Sequence, residues 1–373
     1  MASLLSVTIL HRHGSRGPGD SELKPWEGTS SLAFHQWDPK EYEVISPVGR
    51  VMIKNLGKLM CDRYINTSIL GVVNNEQIRW RCSSSERARE SGDDFVHGFN
   101  CNTSISKIDA PVLYEIEADN YFRPWKIYKN EEKNMKKVLM ASEKWLTKAN
   151  EIKDFMTEIY TLTGANNEIL DDISKALWSM TYIQCGLQNE TYWPIASKVQ
   201  RCALSTLIPS SHRSDIEKVA LWVWERRFLD SPLKMEMGSR ISLDMLRSAI
   251  NPEYKFNLFS GHDYTILGLL SVMDILSVYE GQISFGAYIL FELWDDVPPP
   301  HPSGQAKVSR INVSTDKRIL RILLNKCPFI VPEDRIDDES IVNPSVQHEV
   351  VQAELSMDII KEYISKFEEF FNK

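Results

Sequence analysis

An apolar run from Leu4 to Leu10 feeds directly into Arg12-His13-Gly14-Ser15-Arg16-Gly17-Pro18-Gly19, and this junction constrains the chain more than any other. Leu4–Leu10 reads as a short buried strand. Three glycines and a proline then forbid a regular helix or strand over the residues that follow. The strand must end here and deliver a histidine, flanked by two arginines, into a tight turn. In open α/β sheets ligands sit at the carboxyl ends of strands. Glycines let backbone N–H groups approach an anion. Arg12 and Arg16 carry forked donors suited to phosphate oxygens, and His13 between them could attack phosphorus as a neutral imidazole. The alternative is a polar turn with solvated arginines, since Arg, His and Gly also crowd ordinary loops.

The remaining chain alternates in character. Apolar residues at Val48, Met52, Leu56, Leu59 and Met60 follow helical spacing after the Ser46-Pro47 start signal, which predicts a helix over Ser46–Tyr64. Gln77–Cys82 reads as a second strand and Ser83–Phe99 as a polar helix. Residues 105–214 are rich in Lys, Glu, Asn, Met and Trp, with long helical patterns over Met135–Tyr160 and Ile169–Cys185. They predict an inserted α-helical cap subdomain between two parts, 1–104 and 215–373, of one α/β catalytic domain. Strand-like runs return at Lys255–Phe259, Ser284–Leu293, Lys307–Val313 and Arg318–Leu324, with a proline-rich surface turn at Val297–Pro302. Ile360, Ile364, Phe367 and Phe371 lie on one face of a last helix, Asp358–Phe371. Strands alternating with helices at both ends predict the α/β class, with an open, mostly parallel sheet flanked by helices.

Two further segments carry chemistry. Ser260-Gly261-His262-Asp263-Tyr264-Thr265 follows a strand-like run and precedes an apolar helix, Ile266–Met273. His262 could bind a phosphate oxygen and Asp263 could protonate a departing alkoxide. Taken alone, Asp263 reads as readily as a helix N-cap. Arg81-Cys82-Ser83-Ser84-Ser85-Glu86-Arg87-Ala88-Arg89-Glu90-Ser91 places Arg87 near the start of a helix that follows a strand. The other reading is a solvated face with Glu86, Arg87, Arg89 and Glu90 in local ion pairs, and for Arg89 and Glu90 that reading is preferred.

Together these segments resemble the histidine acid phosphatases, branch 2 of the histidine phosphatase superfamily. The Arg-His-Gly-x-Arg-x-Pro run near the start and the late strand–Gly-His-Asp–helix carry the resemblance. Ile45-Ser46-Pro47-Val48-Gly49 with Leu56-Gly57 and Arg63-Tyr64, Arg81 to Ser91, and Phe285 to Trp294 extend it in the family's order. The resemblance implies a phosphoglycerate-mutase-like core and an acid phosphatase. In it His13 is the nucleophile, Asp263 the general acid, and Arg12, Arg16, Arg87 and His262 hold the phosphate. Arg81 takes a supporting role, and no metal or other cofactor is implied. Ser83 to Glu86 lacks the aspartates usual there, which leaves substrate contacts from that segment open. A phosphoglycerate mutase would share the first motif but uses a glutamate as acid and lacks the helical insertion. A catalytically inactive phosphate- or inositide-binding module would have lost His13 or Asp263, and both are present.

Composition narrows the partners. A net charge of −8 and a pI near 5.6 give no general attraction to nucleic acid or anionic lipid. The expected partner is a small phosphomonoester, with a homodimer as the open option for assembly. Over residues 105–214 the 14 Lys plus Arg (11 + 3) balance 14 Asp plus Glu (5 + 9), which favours simple monoesters over phytate or a lysophospholipid phosphate. The six cysteines form no CxxC pair, so a zinc site is not expected. No apolar stretch is long enough for a transmembrane helix. The N-terminus lacks a basic leader and a cleavage site, so the chain as written reads as cytoplasmic, and as secreted or lysosomal only if truncated.

Overall fold

In a computed structural model of the chain, three of the strands read from the sequence lie side by side and point the same way. The structure describes residues 2–71, 73–101, 112–114, 121–192, 203–251, 253–275, 283–311, 315–326, 328–329, 344–347 and 349–372, with backbone alone for 101, 112–114 and 167. The sheet consists of β1 (Leu4–Arg12), β2 (Ile78–Cys82), β3 (Val112–Tyr114), β4 (Phe256–Gly261), β5 (Tyr288–Trp294), β6 (Val308–Arg310), β7 (Ile319–Asn325) and β8 (Glu349–Ser356). Their order is β3-β2-β4-β1-β5-β7-β8-β6. β3, β2, β4 and β1 run parallel, β5, β7 and β8 follow antiparallel, and β6 lies parallel to β8. The result is a mixed, mostly parallel α/β sheet.

The parallel half is covered on both faces, and the side-chain alternation of each strand shows how. On β1, Ser6 Oγ donates to the Ala249 carbonyl at 2.5 Å, and on β4 Asn257 Nδ2 donates to Thr8 Oγ1 at 3.1 Å. On β2, Arg79 and Arg81 both meet Asp244. These polar positions face the helix Lys234–Ile250. The intervening positions, mostly apolar, face the helix Glu86–Cys101, where Phe99 lies 5.7 Å from Trp80 and 4.9 Å from Phe256 between ring centroids. Strands buried on both sides read as near-continuous apolar runs, as Phe256–Gly261 and Tyr288–Trp294 do. The remaining anchor is ionic. Arg63, just after the helix Pro47–Cys61, donates to Glu349 at 2.8 Å and Glu292 at 3.1 Å, while Tyr64 donates to Glu292 at 2.6 Å. The Arg63-Tyr64 pair thus ties that helix to β5 and β8.

The chain divides into two compact units, and the division differs from an insertion at 105–214. The first unit is 1–14, 49–127 and 234–373, and holds the whole sheet. The second is 15–48 with 128–233. Segment 15–48 joins the helical unit through packing that no local pattern announces. Ser31 Oγ donates to the Thr163 carbonyl at 2.6 Å, and the Asn166 N–H to the Pro25 carbonyl at 2.8 Å. At the other end, the helices Ser210–Leu229 and Lys234–Ile250 are separated by a short turn, the first in the helical unit and the second in the unit that holds the sheet.

Several element boundaries also shift. The long pattern over Met135–Tyr160 is three helices, Lys129–Met140, Glu143–Glu151 and Lys153–Thr163, because Ser142 caps the second by accepting from the Trp145 N–H. The Ile169–Cys185 pattern becomes the helix Ile173–Thr191, capped by Asp172. Ser284–Ala287 is a turn before β5, with Gly286 at φ +70°. Lys307–Val313 narrows to β6, with 312–314 outside the described residues. Cys202 and Cys327 lie outside them too. No helix among the described residues is long and apolar enough to cross a membrane.

His11 shows how deep the β1 end is. Its ring is fully buried, stacked on Phe95 at 5.5 Å, with Nδ1 donating to the Arg12 carbonyl at 2.9 Å. Burial lowers its pKa from 6.5 to about 4, against the opposing hydrogen bond. Between those values the unfolded chain binds a proton that the folded chain refuses. The stability present above pH 6.5 is therefore lost as pH falls toward 4, by on the order of 3 kcal/mol from this group. Urea unfolding across pH 4–7 should show this slope in the wild type, and His11→Phe should flatten it. An equal slope in both would place the acid sensitivity elsewhere.

Candidate active site

The three sequence motifs leave the sheet at one edge. Arg12 on β1 pairs with Gly261 on β4, and Cys82 on β2 pairs with Ser260 on β4. Because β1, β4 and β2 are parallel, His13, His262 and Ser83 are the first residues beyond three adjacent carboxyl ends. Backbone bonds carry the alignment past the strands. The His13 N–H donates to the Gly261 carbonyl at 3.0 Å and the Ser83 N–H to the Ser260 carbonyl at 2.9 Å.

His13 is 2% exposed. Its Nδ1 lies 2.9 Å from the Gly14 carbonyl oxygen. A carbonyl can only accept, so Nδ1 carries the proton and Nε2 presents a lone pair. Arg87, second residue of the helix Glu86–Cys101, points its Nε at that Nε2 from 3.2 Å. The turn after His13 is held closely. A Cβ on Gly14 would lie 2.3 Å from the Gly49 carbonyl oxygen, so the glycine is required by the approach of the helix Pro47–Cys61. The Gly14 N–H donates to Ser91 Oγ at 3.1 Å, and Ser91 Oγ donates to the Arg87 carbonyl at 2.7 Å. One serine thus joins the histidine turn to the arginine helix.

Arg12 lies beside this histidine, 2% exposed, with its guanidinium 4.1 Å from the centre of the Phe285 ring. Nη1 donates to the Ile283 carbonyl at 2.5 Å, and Nη2 sits 3.1 Å from Asp263 Oδ2. A buried guanidinium needs such partners. Asp263 is the first residue of the helix Asp263–Val272, whose N-cap is His262. The simple N-cap alternative for Asp263 therefore fails by one position, although its Oδ1 does accept from the Tyr264 N–H at 2.8 Å. Its side chain is 26% exposed, against 2% for Arg12. His262 stands edge-on to His13 at 5.4 Å, and its Nε2 is 3.0 Å from Ser83 Oγ and 3.4 Å from Ser85 Oγ.

Arg12, His13, Arg87, His262 and Asp263 are thus brought together in the first unit. Arg81 is not part of that group. It faces the other side of β2 and ion-pairs with Asp244, with its guanidinium 5.6 Å from the Tyr121 ring centre. Its support is to the strand that carries Ser83 and Ser85. Arg16 belongs to the second unit, where it is buried and held by Glu22 at 2.6 and 3.2 Å. Burial works against the Arg16 charge, but Glu22, with smaller help from Cys185 and Glu43, brings the net shift upward. Glu90 pairs with Arg50 at 2.6 Å, on the helix Pro47–Cys61, and not within its own helix. Among the described residues no three His, Cys, Asp or Glu side chains come together as a metal site.

Ser83, Ser85 and Ser91 escaped sequence reasoning because serine carries no charge pattern. The signal available was their place in the Arg81–Ser91 segment. Ser91→Ala removes the acceptor of a buried N–H, which costs on the order of 1–3 kcal/mol. The expected outcome is a lower melting temperature with faster hydrogen exchange at Gly14. Unchanged exchange there would show the hydrogen bond to be dispensable.

A family model described as the histidine phosphatase superfamily (branch 2) matches residues 3–325. No curated protein matches the chain by sequence. Among solved structures, the Klebsiella sp. ASR1 phytase superposes with a TM-score of 0.67 at 15% identity, covering 98% of this chain and 95% of that one. The Hafnia alvei phytase in complex with myo-inositol hexakis sulphate gives 0.68 at 14% identity, covering 98% and 97%. The phytase from Citrobacter braakii gives 0.66 at 15%, covering 98% of each. At these identities the likeness is one of fold.

Proposed function

This chain belongs to branch 2 of the histidine phosphatase superfamily, and we propose that it is a metal-independent phosphomonoester hydrolase, with His13 as nucleophile and Asp263 as proton donor. The observation that carries the reading is the fixed tautomer of His13. With Nδ1 donating to the Gly14 carbonyl, the lone pair on Nε2 points into a cluster whose arginines would gather a phosphate. Arg12 and Arg87 supply forked donors for the equatorial oxygens, and His262 adds a ring nitrogen. Arg16, three residues beyond His13, is proposed as a further phosphate ligand on the family resemblance.

In this reading Nε2 attacks phosphorus, the P–O bond to the alcohol breaks, and Asp263 transfers its proton to the departing oxygen. Water then attacks the phosphohistidine, Asp263 takes a proton from that water, and the imidazole returns to its starting state. Before substrate arrives, the Asp263 carboxylate occupies one side of Arg12 at 3.1 Å. A phosphate is a better bidentate partner for that guanidinium and would take the carboxylate's place; the monoanionic ester brings the proton that the displaced Asp263 takes up and then hands to the leaving oxygen.

His13→Ala should abolish turnover while the melting temperature stays near that of the wild type. Quenching the native protein during turnover should trap a base-stable, acid-labile phosphoprotein, as a phosphoramidate is. Substantial activity in His13→Ala would show that the nucleophile is another residue.

Asp263→Asn separates the acid from a helix-start role, because Asn preserves size and most of the local hydrogen bonding. An alkyl alkoxide leaves poorly without a proton, and a nitrophenolate leaves readily. The change should lower kcat on alkyl phosphates by roughly 10²–10⁴-fold, with a clearly smaller loss on p-nitrophenyl phosphate. Equal, small losses on both would remove Asp263 as the proton donor.

A further inference from the structure

We infer that Trp125 and Tyr264 form a fixed aromatic wall beside Asp263 that selects monoesters of aromatic and apolar alcohols, an inference that rests on the phosphatase reading. The leaving oxygen must sit at Asp263, so whatever flanks Asp263 meets the alcohol part of the substrate. Tyr264 is the next residue along the chain. The Trp125 ring stands edge-on to it at 5.1 Å and edge-on to His262 at 5.9 Å. Both aromatic residues are half-buried, so part of each surface remains open beside the half-buried Asp263.

The wall is held in place from both sides. Trp125 lies in the short helix Pro124–Lys126. Just before it, the Phe122 carbonyl accepts from Thr265 Oγ1 at 2.7 Å, which fastens the segment to the helix that carries Asp263. Arg123 Nη2 donates to Ser84 Oγ at 2.8 Å, which fastens it to the loop beyond β2. Trp125 is therefore tied to both loops that supply His262 and its serine partners. A rigid aromatic face presented without ordering cost favours planar or apolar groups. A polyphosphorylated alcohol would instead need cations on this side. Of the two cations flanking Trp125, Arg123 is bonded to Ser84 and Lys126 is exposed at the end of the short helix, while the segment Ser83 to Glu86 supplies three hydroxyls and a carboxylate but no cation.

The test compares two alkyl esters, benzyl phosphate and glycerol 2-phosphate, so that the leaving groups differ mainly in their apolar surface. myo-Inositol hexakisphosphate serves as the polyanionic competitor. Wild-type kcat/KM should be highest on benzyl phosphate. Trp125→Ala should lower the benzyl-to-glycerol ratio about tenfold, mainly through KM, since one aromatic contact is worth about that much. Trp125→Phe should recover most of the ratio, and melting curves should confirm that both variants fold. Binding of benzylphosphonate, which cannot be hydrolysed, should weaken in parallel. A wild type that prefers the hexakisphosphate overturns the inference, as does a Trp125→Ala that loses both alkyl substrates equally with benzylphosphonate binding unaltered. If no monoester is turned over at all, the phosphatase reading fails by itself, and the wall then stands or falls on benzylphosphonate binding alone.

Discussion

The backbone ladder between β1 and β4 is the interaction on which the rest depends. It runs in register from Val7 and Phe256 to Arg12 and Gly261, and β2 extends the same register on the far side of β4. Nothing in the side chains of His13, His262 or Arg87 could bring them together across so much sequence. The ladder does so because parallel strands end level, and the two backbone bonds beyond the last rung keep the turns level as well. A one-residue slip of β1 would turn Arg12 to the face of His11 and bury the wrong side chains. The dense apolar packing of Val7 and Ile9 and the stacking of His11 on Phe95 oppose that slip.

Electrostatics in the cluster follow from burial. Arg12 is removed from water and is compensated by the Ile283 carbonyl, the Phe285 face and Asp263. Three kinds of partner around one guanidinium fix its plane before any ligand arrives, and such preorganisation lowers the reorganisation a reaction must supply. His11 and His13, two residues apart, show the contrast. One is buried against the Phe95 ring and kept neutral as packing. The other has its Nδ1 engaged by backbone, and its Nε2 faces arginine.

The strands, the class of fold and the meeting of Arg12, His13, Arg87, His262 and Asp263 were legible because each motif is local. An apolar run stopped by glycine marks a strand end, and charged residues just after it mark a site. What sequence could not show is long-range pairing. Arg81 has the same local credentials as Arg87, but strand alternation turns it toward Asp244, 163 positions away. Ser83 reaches His262 across 179 positions, and Thr265 reaches Phe122 across 143. The 105–214 boundary misplaced segment 15–48 for the same reason. That stretch lacks periodic apolar spacing, and its attachment to the helical unit rests on scattered buried residues such as Trp26 and on long-range hydrogen bonds such as Ser31 to Thr163. The helix break at Ala141–Ser142 was in principle readable, since a serine followed by Glu-Lys-Trp is a capping signal that competed with a stronger apolar periodicity.

The separation of β1 from both its neighbours has a consequence during synthesis. Thr8 and its partner Asn257 are 249 positions apart, and β5 lies later still. As the chain emerges from the ribosome, β1 is out 249 positions ahead of its β4 partner and waits through that whole stretch before either flank can be covered. The helical segments 128–233 are complete well before that. Such high contact order slows folding and leaves a sticky edge exposed in the interval. Translation pauses or premature stops ahead of β4 would therefore yield chains with ordered helices and an orphaned first strand, the form best suited to chaperone capture or aggregation.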